Sequence, residues 1–299
     1  MPDDPRLRMQ DPRTQYPQPP FPEQPQPAPG LAVKMEPQPD HGEESYRGCG
    51  RLEGRKALVT GGDSGIGRAA AIAFAREGAD VAIVYEESEE ADAREVIALI
   101  EGCGRRGVAL PGDIRDEGFC RDLVADAVRE LGGLDILVNN AGKQVTQTTI
   151  ADISTDQFDQ TLKTNCYALF WITKAADPHL KAGAAVINTA SIQGYDPNAN
   201  LMDYASTKAF ITAFTKSYAK QAMEKGVRAN VVAPGPFWTP LQPSGGQTQE
   251  ALQQFGADSL FKRPGQPVEI APLYVFLASQ EASYVSGEVY GATGGAGVA

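Results

Sequence analysis

Histidine is almost missing. The 299-residue chain has two, His41 and His179. His41 falls in a proline-rich stretch, so a folded site has at most His179 to work with. That argues against His-rich zinc centres. A Ser-His-Asp hydrolase would have to rest wholly on His179. This residue follows Pro178 at the end of a helical pattern, has no nucleophile elbow beside it, and reads as a surface residue. Cysteine is scarce too. Cys49, Cys103, Cys120 and Cys166 form no C-x-x-C pair and spread over more than 100 residues. They read as reduced thiols of a cytoplasmic protein, not as a disulfide framework or a metal site. Positive charge is in deficit: 27 Lys and Arg stand against 38 Asp and Glu, a net charge of −11. Such a surface does not suit nucleic acid or an anionic membrane. No run approaches the ~18 apolar residues of a membrane span.

Proline is abundant, and it is concentrated at one end. Residues 1–40 hold 12 of the 22 prolines, in runs such as Pro17-Gln18-Pro19-Pro20-Phe21-Pro22. Proline lacks an amide donor and has a fixed φ, so residues 1–50 read as an extension with polyproline-like conformation where it is ordered. It has no apolar core of a signal peptide, and its early Asp3, Asp4 and Asp11 do not suit a transit peptide. Two expectations stand side by side: a disordered leader, or an arm lying across a neighbouring subunit, anchored by Leu7, Phe21, Leu31 and Met35.

From residue 51 the pattern is regular, and residues 51–299 read as one domain. Short, continuously apolar runs (Lys56–Thr60, Val81–Tyr85, Gly107–Leu110, Leu134–Val138, Ala185–Thr189, Val227–Val232 and one near Glu288–Tyr290) alternate with helical stretches. Ser154 to His179 reads as one long amphipathic helix opened by a Ser154/Gln157 capping box. Strands apolar on both faces imply a parallel sheet covered by helices: a doubly wound, Rossmann-type α/β fold with seven strands.

The first strand runs into Thr60-Gly61-Gly62-Asp63-Ser64-Gly65-Ile66-Gly67, and a helix follows. Glycines there permit a tight turn and close backbone approach, and the helix N-terminus offers free amides, so a pyrophosphate is the natural ligand. Tyr204 and Lys208, four apart, share one face of a predicted helix. Ten Tyr and 11 Lys in 299 residues leave about 0.4 such pairs to chance, so the pair gains weight only from its company. Ser191 ends a strand 13 residues upstream, where α/β sheets bind ligands.

These residues together resemble the short-chain dehydrogenase/reductase family. The glycine segment is similar to its cofactor motif, Asn139-Asn140-Ala141-Gly142 to its N-N-A-G turn, and Pro234-Gly235 with Thr239 to its P-G-x-x-x-T segment beside the nicotinamide. Asp113, with Ile114 after it, stands where the family places an acidic contact near the adenine. Asn165, Ser191, Tyr204 and Lys208 match its catalytic tetrad position by position. The resemblance covers residues 51–299, and the Pro-rich leader is further similar to that of a bacterial subgroup that includes general stress protein 39 and glucose or ribitol dehydrogenase homologues. It implies an NAD(P)-dependent oxidoreductase acting on CH–OH groups of a small molecule, and a homotetramer built through the fifth and sixth helices and the last strand.

In such a reaction a base takes the hydroxyl proton while hydride leaves. Tyrosine, with pKa about 10, is a poor base at neutral pH, and a neighbouring ammonium favours the phenolate. At about 4 Å and an effective dielectric near 20 the attraction is roughly 4 kcal/mol, or about three pKa units, which predicts a Tyr204 titrating near working pH. Lys208 would also bond the cofactor ribose, Ser191 would hold the substrate oxygen, and Asn165 would position a water. The ribose of the adenosine half is expected near Tyr85 and Glu86, where a carboxylate accepts from a 2′-hydroxyl and repels a 2′-phosphate. NAD is therefore expected, with NADP the alternative. Gln193, Phe237 and Trp238 are candidate substrate contacts; Gln144, Val145 and Tyr195 are further wall candidates. Leu241–Phe261 reads as a mobile lid or an insertion, and Cys166 as core. The reading from another functional class is a non-catalytic dinucleotide sensor, which typically lacks the Tyr or Lys kept here. An enoyl reductase would need a wider Tyr–Lys spacing.

Overall fold

Residues 8–297 are described by the structure, a computed structural model. Seven strands build one sheet: β1 (Lys56–Thr60), β2 (Asp80–Tyr85), β3 (Gly107–Pro111), β4 (Leu134–Asn139), β5 (Leu180–Thr189), β6 (Arg228–Pro234) and β7 (Val289–Ala292). Their order is β3-β2-β1-β4-β5-β6-β7 and every pairing is parallel. Apolar side chains leave both faces of the central strands, so both faces need covers. The helices are α1 (Gly65–Arg76), α2 (Glu90–Gly102), α3 (Glu117–Leu131), α4 (Thr155–Leu162), α5 (Ala168–Ala176), α6 (Met202–Ala222), α7 (Gln249–Gln253) and α8 (Pro267–Ala278). One cover packs α1, α2 and α8 over Val59, Ile83, Val138 and Ile187; the other packs α3, α5 and α6 over Leu58, Val84, Leu137 and Val186. The expected Rossmann-type sheet is what the chain forms.

Two local expectations change. The long helix from Ser154 is interrupted: a π turn, Lys163–Tyr167, separates α4 from α5. Only half of the capping box forms. Ser154 Oγ accepts from the Gln157 amide at 3.0 Å, while the Gln157 side chain turns instead to Gln147 and Asp203.

Residues 8–50 lie ordered along the chain's own body, in place of the disordered leader. Phe21 and Met35 are buried against Trp238 and Leu252, and Leu31 is half-buried; Leu7 lies outside the described residues. His41 is buried against Glu43, not in a solvated tail, whereas His179 is exposed as expected. The arm joins the body at Glu77, whose side chain is fully buried. Its carboxylate accepts from the Tyr46 hydroxyl at 2.7 Å, the Cys49 and Arg51 amides at 2.9 and 3.0 Å, and the Arg51 guanidinium at 2.6 Å. Burial pushes this carboxyl up, but the bonds from Arg51 and Tyr46 outweigh it and hold it at about 2. Glu77→Ala leaves two amides without their acceptor and Arg51 with only Glu281, at 3.8 Å, to pair with. It should cost about 3–5 kcal/mol, the usual penalty for breaking a buried pair from one side, read as a lower denaturation midpoint; an unchanged midpoint would refute the clamp.

Candidate active site at the carboxyl ends of the strands

A cavity of about 880 Å³ opens where the strand order turns, between β1 and β4, the place where doubly wound sheets take ligands. Thr60 closes its floor: its Oγ1 accepts from the amides of Asn140 and Ala141 at 3.0 and 3.1 Å. The glycine loop bends over that point. Gly61 has φ +62° and Gly65 φ +52°, values that favour glycine, and a Cβ on Gly67 would sit 1.9 Å from the Gly61 carbonyl oxygen. Gly61, Asp63, Ser64, Gly65 and Ile66 line the cavity; Gly67 does not, and its part is to let α1 approach the loop.

The other expected cofactor positions are brought to the same cavity. Tyr85 and Glu86 lie at one end with Asp113 and Ile114; Asn140, Ala141 and Gly142 lie in the middle; Pro234, Gly235 and Thr239 lie at the far end. Tyr85 is buried and donates to Glu90 Oε2 at 2.5 Å; burial and then that carboxylate push its phenol up. Asp113 is held below the usual carboxylate range by its bond from Arg115, at 2.7 Å. Glu89, unmarked by any motif, also lines this end, with Asp63 beside it. Both are at least nine-tenths buried. Asp63 Oδ2 finds no hydrogen-bond partner among the described residues, and the Ser64 hydroxyl and the Glu89 carboxyl are the side chains set against this carboxyl. Burial first, and for Glu89 the Asp63 charge next, raise both carboxyls.

Ser191, Tyr204 and Lys208 converge on the cavity. Ser191 leaves β5 and caps the next turn, its Oγ accepting from the Gln193 amide at 3.1 Å. Tyr204 and Lys208 share the inner face of α6, and Lys208 Nζ donates to the Thr189 carbonyl at 2.9 Å. The expected electrostatics are reversed. Burial pushes the Tyr204 phenol up to about 12, with a bond from Ser191 pulling the other way, and burial pushes Lys208 down to about 8. Lys208 Nζ lies 5.2 Å from the centre of the Tyr204 ring, but desolvation outweighs its attraction for a phenolate.

Asn165 is buried behind the cavity wall, in the π turn. Its Oδ1 accepts from the Lys143 amide at 2.7 Å, and its Nδ2 donates to the Lys143 carbonyl at 2.9 Å and to Thr207 Oγ1 at 3.0 Å. Its side chain therefore fixes the turn after Gly142, and its Oδ1 keeps a second lone pair. Gln193 and Phe237 line the cavity; Trp238 does not. Trp238 is fully buried and stacks on Phe21, ring centres 4.2 Å apart, because the arm supplies an apolar partner on the far side of its loop. Gln144 and Val145 line the wall, whereas Tyr195 points to Thr212. Cys166 is core, and all four cysteines are free. Among the described residues no three His, Cys, Asp or Glu side chains gather as a metal would require. Sequence reading missed Glu89, Thr189 and Asp203, which accepts from the Tyr204 amide at 2.8 Å, since no motif spacing marks them; Thr60 opens the glycine segment, but its tie to Asn140 and Ala141 is not legible there.

Comparison with known proteins places these features in context. A family profile described as enoyl-(acyl carrier protein) reductase matches residues 61–297. The chain is 58% identical to the uncharacterized oxidoreductase YghA of Escherichia coli (strain K12), over 96% of this chain and 98% of that protein. It is 42% identical to the glucose and ribitol dehydrogenase of Daucus carota, over 92% and 97%. It is similar in structure to a short chain dehydrogenase from Burkholderia cenocepacia J2315 crystallised in complex with NADP: TM-score 0.76, 36% identity, 82% of this chain and 98% of that one.

The Asp63–Glu89 pair makes stability depend on pH. Their folded-state pKa values are raised, so the folded state keeps protons that the unfolded state releases. The pair's contribution is complete below the ordinary carboxylate range and is lost as pH climbs through the raised values. Glu89→Gln keeps an acceptor for the Glu86 amide, bonded at 3.1 Å, and removes the contested proton. Its melting temperature should fall less than wild type's between pH 5 and pH 9; parallel curves would show that the two carboxyls share no proton.

Proposed function

The chain belongs to the short-chain dehydrogenase/reductase family and is an oxidoreductase, and from that premise we propose that it moves hydride between a nicotinamide and the carbon of a small alcohol or carbonyl compound: a sugar, polyol, aldehyde or ketone. The observation that carries this reading is the meeting of Ser191, Tyr204 and Lys208 in the cavity that the glycine loop opens. The glycine turn at Gly61 and Gly65 lines the cavity, and the residues around it fit a dinucleotide. When bound, the nicotinamide supplies the site that accepts or gives hydride and, when oxidised, a positive charge.

The rest of the chemistry belongs to the side chains. Tyr204 is protonated through the physiological range, which suits it to donate to a carbonyl oxygen being reduced. In oxidation it must accept the hydroxyl proton, and cations near its oxygen lower the cost of the phenolate. Lys208 is one such cation; its remaining N–H groups, beyond the bond to Thr189, are free to hold a ribose. Ser191 would donate to the substrate oxygen and hold it next to Tyr204. Asn165 acts at one remove, by fixing the Lys143 turn and Thr207. The Tyr204–Lys208 spacing of four supports CH–OH chemistry over enoyl reduction.

For the cofactor we propose NAD. Asp63, Glu86 and Glu89 face the end where the adenosine ribose would lie, and Arg115, the cation there, is engaged by Asp113. This acidic wall suits a 2′-hydroxyl and repels a 2′-phosphate. The B. cenocepacia protein was crystallised with NADP, so direct titration decides: NADH should bind at least about tenfold more tightly than NADPH, about 1.4 kcal/mol, and the reverse order would overturn the assignment. Tyr204→Phe should lower kcat by about 10²–10⁴ with NADH affinity kept. Near-normal turnover in that variant would remove Tyr204 from the chemistry. Dinucleotide binding without turnover on any alcohol or aldehyde would favour the sensor.

A cytoplasmic homotetramer belongs to the same reading. Among the described residues no helix is long and apolar enough to cross a membrane. The outer face of α5 and α6 carries Phe170 and Phe210, 42% and 41% exposed, and Phe210, Phe214 and Tyr218 stack in a row. Such an aromatic face supports assembly there. Phe210→Glu should reduce the mass seen by light scattering below that of four chains; a wild type that already runs as a monomer would reject the assembly.

A further inference from the structure

The Pro-rich arm crosses the mouth of the cavity, and its two nearest attachments lie on opposite banks. On one bank the Ala32 amide donates to Asp92 Oδ2 of α2 at 2.6 Å; Asp92 is fully buried, and the adenosine-end residues Glu86 and Glu89 lie just before it. On the other bank the Pro29 carbonyl accepts from Ser244 Oγ at 2.9 Å, in the loop that follows Thr239. Pro29 and Ala32 are three residues apart, so the chain spans the gap in roughly 10 Å. Between these points Gly30 has φ +88°, and a Cβ there would meet the Pro240 carbonyl oxygen at 3.0 Å. Ala28 and Pro29 themselves form part of the cavity wall.

The same arm pins the loop that reads from sequence as a mobile lid. The Phe21 amide donates to the Gln253 carbonyl at 2.9 Å, the Gln24 amide to Gln249 Oε1 at 2.9 Å, and the Gln26 amide to the Pro243 carbonyl at 3.2 Å. The apolar residues of this loop, Leu252 and Phe255, pack with Trp238 against Phe21 and Met35 of the arm. Trp238 Nε1 donates to the Pro37 carbonyl at 2.8 Å. The arm adds these contacts to the loop's own anchors on the body, where Gln144 Nε2 donates to the Gly246 carbonyl at 2.7 Å, the Thr146 amide to the Gly245 carbonyl at 3.0 Å and the Leu260 amide to the Gly294 carbonyl at 2.9 Å.

We propose that residues 21–37 are a built-in part of the dinucleotide site: a strap whose Ala28–Ala32 segment bridges the cleft from Asp92 to Ser244, retains the bound cofactor, and holds Leu241–Phe261 closed over it. This rests on the dinucleotide reading of the cavity. The strap adds little to the chemistry, so its loss acts on cofactor release and on KM far more than on the hydride step. Proline suits the task, since a chain with φ already fixed gives up less entropy when it is held in place.

The test uses the full-length chain with Trp171→Phe, so that Trp238 is the only tryptophan and reports docking of the arm. Two variants are made in it: Phe21→Ala, which removes the ring on Trp238, and Gly30→Val, whose side chain has no room against Pro240. Each should shift Trp238 emission to the red and expose Leu241–Phe261 to chymotrypsin. In stopped-flow displacement, NADH should leave at least about tenfold faster, with kcat changed far less than KM. In the same background Tyr204→Phe should abolish turnover and leave the NADH release rate unchanged. Red-shifted variants with unchanged NADH release would overturn the strap alone. Unshifted emission in both variants would also overturn it, since the arm would then not be held by the contacts described. A wild type that binds neither NADH nor NADPH would sink the dinucleotide reading itself.

Discussion

The site depends on how the ends of β1 and β4 are tied together. Thr60 Oγ1 holds the amides of Asn140 and Ala141, and Asn140 Nδ2 reaches back to the Gly61 carbonyl at 3.2 Å. These bonds bridge the two strands at the point where the sheet order turns, so the glycine loop and the Asn139–Gly142 turn face each other across a fixed gap. The tie is relayed onward. Asn165 clasps Lys143 just beyond Gly142 and bonds Thr207, next to Lys208 in sequence. Asp203 receives Gln157 and Thr161 from α4 and holds the Tyr204 amide. One connected set of buried polar groups thus runs from the first strand to the sixth helix. Each member is satisfied by another, which is the condition for placing so many polar atoms in an interior.

Burial favours the neutral forms of the ionisable side chains at both ends of the cavity. At the Tyr204 end it favours neutral forms of both partners: the phenol rises and the lysine falls. Lys208, lowered to about 8, still carries its proton at neutral pH, and the site's side chains respond strongly to a nearby cation because little solvent screens them. At the Glu89 end, carboxyls crowd together with too few cations, and protons make up the difference. That end accepts hydroxyl donors readily and anions poorly.

Much of this was legible in the sequence because it is local. Continuous apolar runs marked the strands, and the parallel sheet followed from their alternation with helices. The glycine loop, the Asn-Asn-Ala-Gly turn and the Tyr204–Lys208 pair are short segments whose spacing survives folding unchanged. What escaped was set by distance along the chain. Phe21 and Trp238 are 217 residues apart, so nothing near Trp238 reveals that its ring is covered from behind. Asn165 looks like a free polar side chain in a helix until the π turn aims it at Lys143. Glu89 is one acid in an acidic run, and only burial beside Asp63 separates it from its neighbours. The expected shift of Tyr204 toward neutrality weighed the attraction of Lys208 without the cost of desolvating both groups.

The arm shows why composition alone misjudged that segment. A stretch with 12 of the chain's prolines reads as disorder because it cannot form a helix or a sheet ladder. The same property lets it be buried without a partner strand. Where proline replaces another residue there is no amide to satisfy, so the arm's main chain carries a surplus of acceptors. The body meets them with donors: Ser244 Oγ on Pro29, Trp238 Nε1 on Pro37, Arg263 Nε on Pro12. Among its amides, those of Phe21, Gln24 and Gln26 donate into the loop and that of Ala32 donates to Asp92 on α2. An extended segment that needs few donors answered, carries an apolar ring at Phe21 and a thioether at Met35, and loses little freedom on ordering is suited to lie across a cleft. Its sequence specifies a strap as surely as alternating apolar residues specify a strand, but through the groups it lacks.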